Sequence, residues 1–360
     1  MLQEILKARN LLPLESRETM LRLLEEHSYG KLPDLPLTVS GTAETVPHDL
    51  EDPAITRQIL RITLQKENGE YFTYPLELYI PGHVAKPPVL MHLHMNGNHG
   101  DSRVDMRREI LGRGFSLVRL SNEDVMPDSR NGNYETMLGA FLGMHNDRGP
   151  EDTGKIGLWA FACSRALDYL LTLPDIDAAH TFLLGHSRLG KTVLWAGARD
   201  ERFFGILDNA SGYGGAATSR HGACPFGGGE RVVDFIRAGS WDWFCENFKK
   251  YTEDLEEAKP YDQAFLLALL APRFYCMGTA DDDPGADADS MYLTALHASS
   301  AWEARGAKGL VAPDRMPHPG DVFHEGNIGF HQREGKHELN REDWEHYLDF
   351  MTEKLTRNDP

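Results

Sequence analysis

The chain is short of cysteine, of long apolar runs and of positive charge, and each shortage removes a class of protein. Its four cysteines, Cys163, Cys224, Cys245 and Cys276, are scattered, with no C-x-x-C pair and no metal-like spacing. Three of them lie in apolar or aromatic runs, where reduced core thiols are commonly found. No stretch approaches the roughly 20 apolar residues that span a bilayer, so no membrane partner is expected. The 37 Lys and Arg against 55 Asp and Glu leave a net charge of −18, which disfavours a nucleic-acid partner. The N-terminus, with charges throughout, lacks the basic start and apolar centre of a secretory signal. As written, the chain reads as a cytoplasmic protein; with a leader removed it would read as a secreted one. There is no internal repeat or low-complexity linker, and nothing calls for a cofactor or a metal. The oligomeric state leaves no mark on the sequence.

What is present is ample apolar material: 360 residues, 41% of them hydrophobic. Residues 1–30 read as helix, closed by Gly30 and the Pro33/Pro36 pair, and residues 1–35 form an N-terminal helical extension. Leu60, Ile62 and Leu64 then alternate with polar neighbours, and Phe72, Tyr74, Leu76, Leu78 and Ile80 alternate after Asn68-Gly69. That pattern predicts a β-hairpin with a tight turn. From residue 88 the alternation stops. Short unbroken apolar runs (Val89–Leu93, Ser116–Leu120, Phe182–Leu184, Gly205–Leu207, Phe274–Met277) read as parallel strands buried on both faces. Helical segments lie between them, at Asp105–Leu111, Leu158–Leu173, Lys191–Ala198, Ala264–Leu270 and Met291–Arg305. The expected fold is α/β: one doubly wound, mostly parallel sheet with antiparallel N-terminal strands, in three layers, as one domain over residues 1–360. The Gly-rich span from Ser211 to Gly229 is too long for an ordinary connection and marks a functional loop.

Gly185-His186-Ser187-Arg188-Leu189-Gly190-Lys191 sits between a strand-like and a helix-like run. A serine at such a turn, walled by glycines, is how an α/β-hydrolase presents a nucleophile above its sheet. The G-x-S-x-G pattern is not met in full, because Leu189 holds the second glycine position and Gly190 follows one residue late. In this fold an acid and then a histidine follow the serine. Asp281, Asp282 and Asp283 come just after a strand-like run, and Asp287 is a further possibility. His318, His324, His331, His337 and His346 come last. His331 reads as strand and His346 as helix, with Asn340 as the N-cap, which leaves His337 on the loop between them. One oxyanion donor is expected at Arg188, after the nucleophile, and another in the loop Asn96-Gly97-Asn98-His99.

The ordered set of motifs resembles carbohydrate esterase family 15, the glucuronoyl esterases. Gly185 to Lys191, Asn96 to His99 and Ser211-Gly212-Tyr213-Gly214-Gly215-Ala216-Ala217 carry the likeness, with Ser164-Arg165-Ala166-Leu167-Asp168, Trp243-Phe244-Cys245, Ala271-Pro272-Arg273 and Arg333-Glu334-Gly335-Lys336-His337. The resemblance implies a serine esterase that cleaves the ester between a glucuronoyl carboxyl group on xylan and an alcohol. It implies Ser187 as nucleophile, His337 as base, Arg188 at the oxyanion, and Lys191 and Glu230 on the sugar, with Asn98 and His99 lining the site. Many members carry a glutamate as catalytic acid where this chain has Ala210, so the acid is expected from the later loop, where Asp283 matches best. The family's tryptophan two residues beyond that aspartate is Gly285 here, and the histidine usual after Asp-Gln is Ala264.

Other readings stand beside this one. The altered sugar platform permits another carbohydrate esterase, such as an acetylxylan or acetyl-sugar esterase. A catalytically degenerate hydrolase that only binds glycans is the non-enzymatic alternative. His92 and His94 alternate on an apolar strand, but without a third ligand of telling spacing they read as core or site-lining residues. Trp159 and Trp195 read as core, whereas Trp241 and Trp243 could be core or carbohydrate platform.

Overall fold

The Asn68-Gly69 turn makes the expected hairpin. Gly69 adopts φ +90°, open to glycine without strain, and pairs strands Thr56–Lys66 and Tyr71–Ile80 in register from Gln65 opposite Tyr71. In the computed structural model the described residues are 1–95, 104–129, 132–223, 225–252 and 255–356. Among them are β1 Leu37–Val46, β2 Thr56–Lys66, β3 Tyr71–Ile80, β4 Pro88–His94 and β5 Ser116–Ser121. Then follow β6 Asp177–His186, β7 Gly205–Asn209, β8 Phe274–Ala280, β9 Val322–Phe323 and β10 Ile328–Arg333. They form one 10-stranded sheet in the order β1-β2-β3-β5-β4-β6-β7-β8-β10-β9. The run β5-β4-β6-β7-β8-β10 is parallel, and antiparallel strands complete both edges.

The unbroken apolar runs are explained by two cores. Val89, Met91 and Leu93 of β4, Leu183 of β6, Ile206 of β7 and Met277 of β8 join the larger one. Their neighbours Leu90, Phe182, Leu184, Leu207 and Cys276 join the second core, on the opposite face. Alternate side chains of each strand therefore enter different cores, so apolar residues serve both faces. Helices Lys155–Leu170, Arg188–Arg199, Gln263–Ala268 and Ala288–Glu303 contribute to the first core. Helices Arg107–Gly112 and Arg341–Thr356 contribute to the second. The result is the expected α/β three-layer arrangement, and no helix among the described residues is long and apolar enough to cross a membrane.

Two details differ from the sequence reading. The first thirty residues are not one helix but Leu2–Arg9 and Arg17–Leu24, followed by a π-helical turn Glu25–Tyr29. Asn10 ends the first at φ 57°, Pro13 cannot donate a backbone bond, and Ser16 caps the second through the Thr19 N–H. Strand β1 carries no strand signal in the sequence. It lies at the sheet edge, largely exposed, and its sequence LTVSGTAETV carries too few apolar residues to mark a buried face.

Candidate active site

The C-terminal ends of β6, β7, β8 and β10 lie side by side, and each feeds a loop carrying one part of the site. β6 ends at His186, directly before Ser187, which adopts φ 59°, ψ −123° at the head of the helix Arg188–Arg199. This strained turn leaves no room for side chains beside it. A Cβ on Gly185 would lie 2.3 Å from the Leu189 carbonyl oxygen. One on Gly190 would lie 2.7 Å from Asp208 Oδ1 and 3.0 Å from Ser211 Cβ. Leu189, in contrast, is wholly buried in the larger core. The second glycine is thus displaced because residue 190, not 189, faces the end of β7.

Ser187 Oγ lies 2.8 Å from His337 Nε2, and His337 Nδ1 lies 2.7 Å from Asp283 Oδ2. Asp283 is buried, and its other oxygen accepts from the Ala286 N–H at 3.2 Å. Of the acid candidates, Asp283 alone bonds His337. Asp281 accepts from the Gly335 N–H at 2.8 Å, in the loop that carries His337. Asp287 caps the helix Ala288–Glu303 and also accepts from the Gly228 and Gly229 N–H groups. Asp282 is exposed. Ala210, where many relatives carry an acid, sits at φ 49° and donates its N–H to Gly278.

The histidine loop is held from below. Buried Arg333, the last residue of β10, donates to the carbonyls of Glu334, Lys336 and Glu338. Its Nε bonds Asp343 at 2.6 Å. His331 lies inside β10 and His346 inside the last helix, as read from the sequence. The Asn340 side chain caps that helix through the Asp343 N–H, and Asp343 returns a bond to the Asn340 N–H. Beneath His337, the His186 ring lies 4.6 Å away centroid to centroid and bonds Asn209. Burial depresses the His186 pKa to about 3, so this second imidazole stays neutral and does not compete for the serine proton.

Ser187, Arg188, Lys191, Glu230, Trp243, Asp283, Gly285 and His337 line one cavity of about 210 Å³. Trp243 is therefore a wall of the site, whereas Trp241 lies beneath the Lys249 ammonium, 3.8 Å from its ring centroid. The Arg188 guanidinium lies 4.7 Å from the Trp243 ring centroid and is bonded to Asp128. Asp128 accepts with its other oxygen from the Trp243 indole at 2.8 Å. One carboxylate thus fixes both the cation and the aromatic wall. Asp128 was missed in the sequence because it stands alone in a loop, 60 positions before Arg188. Lys191 is buried, donates to the Ser211 carbonyl, and has its pKa lowered by burial, with Glu230 and Asp208 acting against the shift. Below the floor, Ser211 and Tyr275 bond the buried Asp208, whose pKa burial raises to about 7. Asn98 and His99 lie outside the described residues. His92 packs edge-on to Trp344 and His94 bonds the Met95 carbonyl.

A serine at a strand-to-helix turn, above a doubly wound sheet and hydrogen-bonded to a loop histidine, defines an α/β-hydrolase. Residues 65–306 match the family model described as glucuronyl esterase, fungi. A carbohydrate esterase from an unknown prokaryotic organism is 31% identical, over 94% of this chain and 84% of its own. The glucuronoyl esterase of Solibacter usitatus superposes with a TM-score of 0.80 at 32% identity, covering 94% of this chain and 91% of that one. A 4-O-methyl-glucuronoyl methylesterase of Podospora anserina is 29% identical over 54% of this chain, a match spanning 40% of that relative's length. The chain belongs to the glucuronoyl esterases of carbohydrate esterase family 15, a family of ester hydrolases.

Proposed function

We propose that this chain hydrolyses glucuronoyl esters of plant cell-wall xylan through a covalent acyl-enzyme. The observation that carries the reading is the Asp283–His337–Ser187 hydrogen-bonded chain at the wall of a cavity that also holds two cations, Arg188 and Lys191. His337 Nε2 takes the proton of Ser187 Oγ as that oxygen attacks the ester carbonyl. The imidazolium is stabilised by Asp283, which also fixes the tautomer. The tetrahedral oxyanion meets the Arg188 backbone N–H, one of the unpaired donors at a helix start, and the guanidinium held by Asp128. His337 then protonates the departing alcohol. Water, deprotonated by His337, attacks the acyl-enzyme and releases the uronic acid and free Ser187.

Lys191 spends one N–H on the Ser211 carbonyl, so its remaining donors serve sugar hydroxyls, with Glu230 as an acceptor on the same wall. Ser187→Ala should abolish hydrolysis of a methyl glucuronate ester with the circular dichroism spectrum unchanged; retained turnover would sink the assignment. Gly285 in the cavity wall favours one second reading, an acetyl-sugar esterase, because no tryptophan fills that side. Faster turnover of acetylated xylose than of the glucuronate ester would select it. Failure of a fluorophosphonate to label Ser187 would instead favour a glycan-binding protein.

A further inference from the structure

Away from the serine, on the opposite side of β8 and β10 from the larger core, Cys276, His324 and His331 bring their donor atoms within 4.8 Å of one another. Cys276 belongs to β8 and His331 to β10, whose register sets Gly278 opposite His331 and leaves space for its ring. A Cβ on Gly278 would come within 2.4 Å of His331 Nε2, so the ring lies directly over that glycine. His324 follows β9, and its Nε2 stands 3.8 Å from Cys276 Sγ.

His331 makes this cluster more than a packing feature. The ring is fully buried, and its Nε2 lies 3.1 Å from Asp343 Oδ1. Asp343 is an acceptor, held as a carboxylate by Arg333, so Nε2 carries the hydrogen and Nδ1 a lone pair. That Nδ1 is buried and has no hydrogen-bond partner among the described residues. A buried acceptor without a donor is costly to leave unmet, and metal coordination would meet its need. A carboxylate on the far nitrogen is also the arrangement that orients a metal-binding imidazole and raises its basicity.

We propose that Cys276, His324 and His331 form a binding site for a thiolate- and imidazole-preferring divalent metal such as zinc, with a fourth position for water. One sulfur and two nitrogens form a donor set that suits zinc over magnesium or calcium. The metal would tie β8 to β10 and to the segment following β9. The loops bearing Asp283 and His337 leave the ends of β8 and β10, so the site braces the base of the esterase machinery without touching substrate.

The test uses the full chain, stripped with chelator and desalted. Titration with Co²⁺ should give a thiolate-to-cobalt charge-transfer band that saturates at one ion per chain, and Zn²⁺ should displace it and raise the thermal midpoint. Cys276→Ser should remove the band. His324→Ala, at a partly buried position, should weaken Co²⁺ binding at least tenfold while the chain stays folded by circular dichroism. Absence of the band in the wild-type chain overturns the proposal. So does binding that survives in both variants, since the metal would then sit elsewhere. Ester hydrolysis is not a readout, so the metal site and the esterase reading stand or fall separately.

Discussion

Asp283→Asn is the substitution that most directly tests the site. The aspartate uses one oxygen for the Ala286 N–H at 3.2 Å and the other for His337 Nδ1 at 2.7 Å. In an asparagine, Oδ1 keeps the backbone bond, so the amide NH₂ must face His337. Nδ1 then has to accept, the ring hydrogen moves to Nε2, and Nε2 can no longer take the serine proton. The lost carboxylate also stabilises the imidazolium formed at the transition state. For charge centres about 4 Å apart at an effective dielectric of 20, that attraction is about 4 kcal/mol. The His337 side chain is 43% exposed, and solvent trims the figure to about 3 kcal/mol. Breaking the wrong tautomer's hydrogen bond adds about 1–2 kcal/mol. Together these predict a fall in kcat of about 10³- to 10⁴-fold, with KM little changed. Steady-state hydrolysis of a methyl glucuronate ester, with thermal melts to confirm folding, reads the effect. Asp281→Asn, which disturbs only the Gly335 bond, should cost less than tenfold. An Asp283→Asn enzyme within tenfold of wild type would refute the reasoning.

Two further predictions follow from buried charge. Asp128→Asn loosens the clamp on Arg188 and Trp243, so kcat should drop about 10- to 100-fold, the loss typical of one weakened oxyanion donor, with the melting temperature little moved; equal losses in both would show Asp128 to be merely structural. Burial depresses His94 to a pKa of about 4, and His186 and His324 to about 3. As pH falls below 6.5 the unfolded chain takes up protons that these folded imidazoles refuse, so each costs about 1.4 kcal/mol of stability per pH unit. Asp208, raised to about 7, acts in the other direction: its contribution is complete below 3.8 and is lost as pH rises through 7. Urea denaturation across pH 4.5–8 should show the acid-side slope, and His94→Gln should reduce it by about 1.4 kcal/mol per pH unit. An unchanged slope would mean that His94 takes a proton in the folded state.

How much of this was legible in the sequence depended on how local each signal was. The doubly wound sheet announced itself because β4, β6, β7 and β8 are buried on both faces and so carry unbroken apolar runs. His337 could be placed because strand and helix signals bracket it within a few residues. Asp128 and Asp208 could not, since their partners are Arg188 and Trp243 in one case and Ser211 and Tyr275 in the other. Such bonds join segments distant in sequence or depend on depth below the surface, and neither leaves a pattern along the chain. The displaced glycine falls between the two cases, being visible as an oddity but explicable only in three dimensions. Gly190 is not a relaxed version of a motif; it is the residue whose Cβ would strike Asp208 Oδ1 at 2.7 Å. The carboxylate is pinned by Ser211 and Tyr275 and cannot retreat. Helix propensity favours Gly190→Ala by about 1 kcal/mol, but overpacking costs about 1–3 kcal/mol, so the variant should be the less stable one. Gly112→Ala, exposed at a helix end with nothing among the described residues within 4 Å of the added methyl, lacks the opposing cost and should stabilise. The same substitution with opposite signs, read by denaturation midpoints, isolates close approach as the reason the second glycine stands at 190; two stabilising changes would leave its position unexplained.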